Sequence, residues 1–99
     1  MPYQIIKRAI ERRESLTGRY DDYVRFFSPH VLGDDRIGAK SVLGFQYAGG
    51  RAGGLPPMGD WGLFHVVGLK ELYPNRDRWL AGLPENKPLH LFSKIDVQV

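Results

Sequence analysis

Between Tyr3 and Leu16 the apolar residues Ile5, Ile6, Ala9, Ile10 and Leu16 fall on one side of a helical wheel, and Lys7, Arg8, Glu11, Arg12 and Glu14 fill the other. Steps of three and four residues match the helical turn and not the two-residue period of a strand. The pattern predicts an amphipathic helix over residues 3–16, with Gly18 as its stop. Lys7 and Glu11 form an i,i+4 pair in the weaker orientation, so packing, and not charge, must hold this helix in place.

From Arg19 onward the period changes to two. Residues 19–27 set Tyr20, Asp22, Val24 and Phe26 against Tyr23, Arg25 and Phe27, and this strand is expected to end at Ser28-Pro29, because proline cannot donate to a ladder. Asp34 to Gly38 reads as a turn. A second strand over 40–47 opposes Leu43, Phe45 and Tyr47 to Val42, Gly44 and Gln46, with Gly44 marking a bend. A third over 61–72 opposes Leu63, His65, Val67 and Leu69 to Phe64, Val66 and Gly68, and a fourth over 89–98 sets Leu89, Leu91, Ile95 and Val97 against His90, Lys94 and Asp96. Between the last two, Pro74 to Asp77 is a turn signal, and Arg78-Trp79-Leu80 is expected to make one helical turn that docks Trp79. One helix followed by short bent strands, with no further alternation of helix and strand, predicts a single mainly-β domain over residues 1–99. Its expected form is a small, strongly bent SH3/Sm-like β-barrel capped by the N-terminal helix.

Composition narrows the function. The 99 residues include no cysteine, which excludes a disulfide framework and a thiolate metal site. Fourteen Lys and Arg against eleven Asp and Glu leave a net charge of +3, a surplus that permits nucleic-acid binding without demanding it. No apolar run approaches the ~20 residues of a membrane span, and the start MPYQIIKRAIERRE has no signal-peptide pattern, so a cytoplasmic location is expected. Ten of the twelve glycines lie between Gly33 and Gly68, where turns, a mid-strand bend and one long connection would need them.

The segment Gly49 to Gly54 is glycine-rich enough for backbone N–H groups to approach an anion, with Arg51 at its centre, but its spacing fits neither phosphate-loop pattern. A mobile connection is the commoner role for such a stretch. Arg25, among Tyr23, Phe26 and Phe27, must snorkel, pair with Asp21, Asp22 or Asp60, or hold a phosphate or carboxylate. His30, His65 and His90 lack metal-ligand spacing, the serines lie in no nucleophile elbow, and the adjacent carboxylates of Asp21-Asp22 and Asp34-Asp35 diverge in extended chain. No metal, cofactor or catalytic residue is therefore expected.

Tyr20 and Arg25 before Pro29-His30, then Val42 to Tyr47 leading into Gly49-Gly50, then Trp61 and Phe64 opening a strand, form a succession that resembles the WYL-domain family over residues 3 to about 80. Such bacterial modules have an Sm-like barrel, and the chain is most similar to their stand-alone members, without a helix-turn-helix. The resemblance implies a regulatory module that senses a ligand such as a nucleotide or nucleic acid. Combined with the residues themselves, it gives the expected function: a non-catalytic module binding a small anionic ligand or nucleic acid. Arg25, His30, Gln46, Arg51 and His65 are expected to line the site, with Trp61 or Tyr47 as a stacking wall. The alternative is an interaction module that forms a homo-oligomer or docks a partner protein.

Overall fold

The computed structural model describes residues 1–83 and 86–99. In chain order these form α1 (Pro2–Arg12), β1 (Leu16–Tyr20), β2 (Tyr23–Asp35), β3 (Lys40–Gly49), β4 (Asp60–His65), β5 (Lys70–Pro74) and β6 (Phe92–Gln98). Short 3-10 turns occupy Val66–Gly68 and Leu89–Leu91. Helix α1 starts with Pro2, where a missing N–H costs no intrahelical bond. It stops at Arg13, which takes a left-handed conformation (φ 53°) and returns its N–H to the Ala9 and Ile10 carbonyls. The helix is thus shorter than the predicted 3–16, because Leu16 already belongs to β1.

All strand pairs are antiparallel, in the order β4-β3-β2-β1-β5, with β6 paired to β2 off this path. The thirteen-residue β2 organises the sheet. One of its edges is lined by β3; the other is shared, β1 taking residues 23–27 and β6 taking residues 31–35. The sheet is open, with β4 and β5 at the two ends of the path, so the closed barrel of the sequence expectation is not what forms.

Three predicted strand boundaries are corrected for identifiable reasons. The expected strand 19–27 is two strands, because Asp21 and Asp22 both adopt positive φ (50° and 65°) and make a two-residue hairpin that sets Tyr20 opposite Tyr23. Proline does not end β2 at residue 29, since the register shifts between Pro29 and Val31, and a bulge accommodates a residue without an N–H. The expected strand 61–72 is broken by the 3-10 turn at 66–68, which leaves Val67 90% exposed and sends β4 and β5 to opposite ends of the strand order. The second strand runs on to Gly49, the last begins at Phe92, and residues 78–80 have no helical turn although Trp79 does dock.

Apolar residues pack on both faces of the sheet. On the first, Ile6, Ala9 and Ile10 of α1 cover Leu16, Phe27, Leu32, Val42, Phe64, Val66 and Leu69. Each large aliphatic or aromatic side chain buried here contributes ~1.5–3 kcal/mol of transfer free energy. On the second, Val31, Leu43 and Phe92 meet Trp61, Leu63 and Leu91. The rest of the second face is covered by residues 75–83, a strap without helix or strand. Its Asn75 side chain donates to Thr17 and Tyr47, its Leu80 N–H donates to the Ser28 hydroxyl, and its Trp79 indole donates to the Pro29 carbonyl.

The approach of β6 to β2 can be tested at Gly33, where a Cβ would stand 2.1 Å from the Lys94 carbonyl oxygen. Because the obstacle is backbone, Gly33→Ala is expected to lose about 3 kcal/mol in urea denaturation. A loss under about 0.5 kcal/mol would mean that β6 is not seated there.

Candidate functional site

The seven residues expected to line a site divide into three groups, each with its own structural task. Arg25, Gln46 and Arg51 meet at the base of the loop between β3 and β4. Arg25 is 7% exposed. Its Nε and Nη2 donate to the Tyr20 carbonyl at 3.3 and 3.1 Å, and Nη1 donates to Gln46 Oε1 at 3.2 Å. The rings of Tyr20, Tyr23 and Phe64 surround the guanidinium with centroids 5.4–5.5 Å from its carbon. The hairpin at Asp21-Asp22 creates this box, since it folds Tyr23 back beside Tyr20. Among the described residues no carboxylate pairs with Arg25, so neither Asp21, Asp22 nor Asp60 is its counter-ion. Burial draws its pKa below the usual arginine value, and the nearby charge of Asp21 acts the other way.

Gln46, also buried, passes the restraint on: its Nε2 donates to the carbonyls of Ala48 and Gly50, each at 3.0 Å. Arg51 closes the loop from outside, pairing with Asp60 at 3.1 Å and donating to the Gly54 carbonyl at 3.2 Å. Both arginines are thus spent on loop architecture, and the glycine-rich segment is held by a clasp.

His30, Trp61 and Tyr47 lie on the second face beneath the strap. The His30 ring stacks on Trp79 at 4.4 Å, meets the edge of Trp61 at 4.8 Å, and places Nε2 at 3.0 Å from the Leu80 carbonyl. Burial lowers its pKa from 6.5 to about 4, against a raising contribution from the Leu80 bond. The Tyr47 hydroxyl donates to Asp77 at 2.7 Å; burial and that carboxylate raise its pKa.

His65 forms the third group with Asp35 and Ser41. It pairs with Ser41 at the start of β3, whereas Gln46 pairs with Asp60 near the other end. His65 Nε2 lies 3.3 Å from Asp35 Oδ2, the Ser41 hydroxyl donates to the same oxygen at 3.0 Å, and the N–H groups of Ile37 and Ala39 donate to Oδ1. Burial by itself would raise the Asp35 pKa, but these hydrogen bonds bring it below the usual value. The hydroxyl sits on the carboxylate and not on the imidazole, so the nucleophile–base contact of acyl transfer is missing from this trio. It is the knot of the β2–β3 turn.

Sequence patterns did not reveal a fourth grouping. The Asn75 N–H donates to the Ser15 carbonyl at 3.1 Å, and the Ser15 hydroxyl donates to the Arg78 carbonyl at 3.1 Å, so the end of α1 lies against the strap. The Arg13 guanidinium lies 5.8 Å from the centre of the Trp79 ring, and Arg12, Arg76 and Arg78, exposed like Arg13, flank these contacts along the two chain segments. Ion pairs among the described residues use Lys7, Arg19, Lys40, Arg51 and His65, and none of these four arginines. The only sequence trace was two arginine pairs some sixty residues apart.

No family model, curated protein or solved structure matches this chain.

Two surface clefts lie elsewhere on the molecule. One of about 330 Å³ is lined by Arg19, Asp21, Asp22, Gly68 and Lys70, and one of about 220 Å³ by Asp35, Arg36, Ile37, Leu63 and Leu91. Neither is lined by any of the seven expected residues. Among the described residues no three His, Cys, Asp or Glu side chains are grouped to hold a metal, and no helix is long and apolar enough to cross a membrane.

Arg25→Lys tests the loop clasp. A lysine ammonium cannot fork onto the Tyr20 carbonyl while also reaching Gln46, so a loss of about 1–3 kcal/mol is expected in chemical denaturation, with faster proteolysis in residues 50–59. A variant as stable and as protease-resistant as the parent would show that the guanidinium does not hold the loop.

Proposed function

We propose that this chain is a non-catalytic regulatory module that binds single-stranded nucleic acid through Arg12, Arg13, Arg76 and Arg78. The observation that carries this reading is the docking at Ser15 of two segments that bear four exposed arginines free of ion pairs among the described residues, with Arg13 over a partly exposed tryptophan. Guanidinium forks match phosphate oxygens in geometry as well as in charge, and arginines interleaved with aromatic rings are how small β domains hold a sugar–phosphate backbone without reading sequence. Arg25 and Arg51, by contrast, have their donors occupied internally and are not assigned to ligand binding.

The fold reading behind this proposal is an SH3/Sm-like barrel in which closure is incomplete. Supporting it are the strand order β4-β3-β2-β1-β5 and the single 3-10 turn between the two end strands. The Tyr20 hydroxyl also accepts the His65 N–H at 3.1 Å, so β1 reaches β4 across the curl of the sheet. The sequence resemblance to WYL domains points the same way, since those modules are read as sensors of nucleotides or nucleic acids.

Fluorescence anisotropy with labelled single-stranded DNA and RNA provides the test. Affinity should fall between 50 and 200 mM salt with a log–log slope of about −2 to −3, as three to four neutralised phosphates require at ~0.7 each. Arg13→Ala combined with Arg76→Ala and Arg78→Ala should weaken binding at least about tenfold and flatten the slope by about two, while Lys94→Ala on β6 leaves both nearly unchanged. Absence of binding at low salt, or an unaltered triple variant, would sink the reading.

A further inference from the structure

The strap over the second face is held by separate hydrogen bonds and not by a ladder. Asn75 is tied to Ser15, Thr17 and Tyr47, Asp77 to Tyr47, Arg78 to Ser15, Trp79 to Pro29, and Leu80 to Ser28 and His30. Gly82 rests on the rings of Phe45 and Trp61. At the middle of this attachment lies His30, 2% exposed, with the rings of Trp79 and Trp61 against it.

The protonation state of that ring follows from geometry. A carbonyl can only accept, so the nitrogen 3.0 Å from the Leu80 oxygen carries the hydrogen and Nδ1 is left as a bare lone pair. Nδ1 is buried and has no hydrogen-bond partner among the described residues. A second proton would have to go there, where it meets no acceptor among the described residues and creates a cation in an aromatic pocket. Among the described residues the charged groups around it offer no relief. Asp77 is bonded to Tyr47 and Asp60 to Arg51, Arg13 lies over Trp79, Val99, whose N–H donates to the His30 carbonyl, has its oxygen taken by Lys87, and the Lys87 charge repels a charged ring.

We propose that the strap is an acid-released latch: protonation of His30 undocks residues 75–83 from the second face while the sheet stays folded, carrying Arg76 and Arg78 away from Arg13. The consequence for ligand binding rests on the arginine reading above; the latch itself does not. With the docked ring titrating at about 4 and the free ring at 6.5, the docked state has its full advantage above pH 6.5 and loses it as the pH falls toward 4. The docked-to-undocked ratio drops close to tenfold per pH unit across that window, and up to about 300-fold in all.

The experiment is amide hydrogen exchange on the full chain without nucleic acid, from about pH 7 to pH 4, expressed as protection factors so that intrinsic exchange rates cancel. The Asn75 and Leu80 amides should lose protection at least about tenfold more than amides of the β2–β3 ladder. His30→Phe keeps a ring between the two tryptophans but cannot take the proton, and in it the difference should vanish. Three results overturn the proposal: strap and ladder opening together, a strap still protected at pH 4, or His30→Phe repeating the parent profile. Should His30→Phe fail to fold, NMR of the parent decides, since the His30 ring must titrate in step with the strap amides, and a ring titrating near 6.5 beside an unmoved strap rules the latch out. Failure of oligonucleotide binding at pH 7 counts against the arginine reading alone.

Discussion

Everything in this molecule is arranged around one strand whose two edges are both occupied. β2 pairs along one side with β3 and along the other with β1 and then β6. A strand so enclosed cannot shift register without breaking two ladders at once, which makes it a rigid rail for the side chains it carries. Arg25, Ser28, His30 and Asp35 all sit on it and between them anchor three non-repetitive segments: Arg25 the β3–β4 loop through Gln46, Ser28 and His30 the strap through Leu80, and Asp35 the β2–β3 turn. The bulge after Pro29 belongs to the same design, because it lets β2 pass through a residue that cannot donate and still present His30 beneath the strap.

Arg25, Ser28 and His30 are anchored on neutral partners. Arg25 is a buried cation satisfied by a main-chain carbonyl, an amide oxygen and three aromatic faces instead of a carboxylate. Cation–π contacts of this kind are worth ~0.5–2 kcal/mol each and are little screened by salt. Charge pairing is left to the periphery, as in Lys40 bridging Asp34 and Asp96, where Lys40 is held charged with its pKa raised by hydrogen bonds to both. Exposed guanidinium groups at the end of α1 and on the strap therefore stand out by contrast, being neither buried in rings nor matched with acids among the described residues.

The mainly-β class and the N-terminal helix were legible in the two hydrophobic periods. The hairpin at Asp21-Asp22 was not, because two aspartates in left-handed conformation carry no glycine to mark them, and the alternation of Tyr20, Asp22 and Val24 runs through the turn unbroken. Nor was the break at Val66–Gly68, where consecutive valines read as strand while the chain in fact turns. For the site, the partners of the expected residues were not visible. Arg25, Gln46 and Arg51 do converge, yet on the loop's own carbonyls and on Asp60; the two segments that bear the four exposed arginines meet only because the strap folds back onto Ser15. Contacts between segments sixty residues apart leave no local period to read.

The shared edge of β2 also sets an order of events during synthesis. Strands β1 to β4 form hairpins with their neighbours or near neighbours and can pair as soon as they have been made, since closing short loops is inexpensive in chain entropy. The Val31–Asp35 stretch, however, has to wait for residues 92–98, some sixty positions later. Until then a growing chain displays a half-strand of unpaired amides next to the apolar Val31 and Leu32, the kind of edge that invites pairing with a second nascent chain. Early folding intermediates of this protein thus carry an edge that the finished sheet covers, and the arrival of β6 is what closes it.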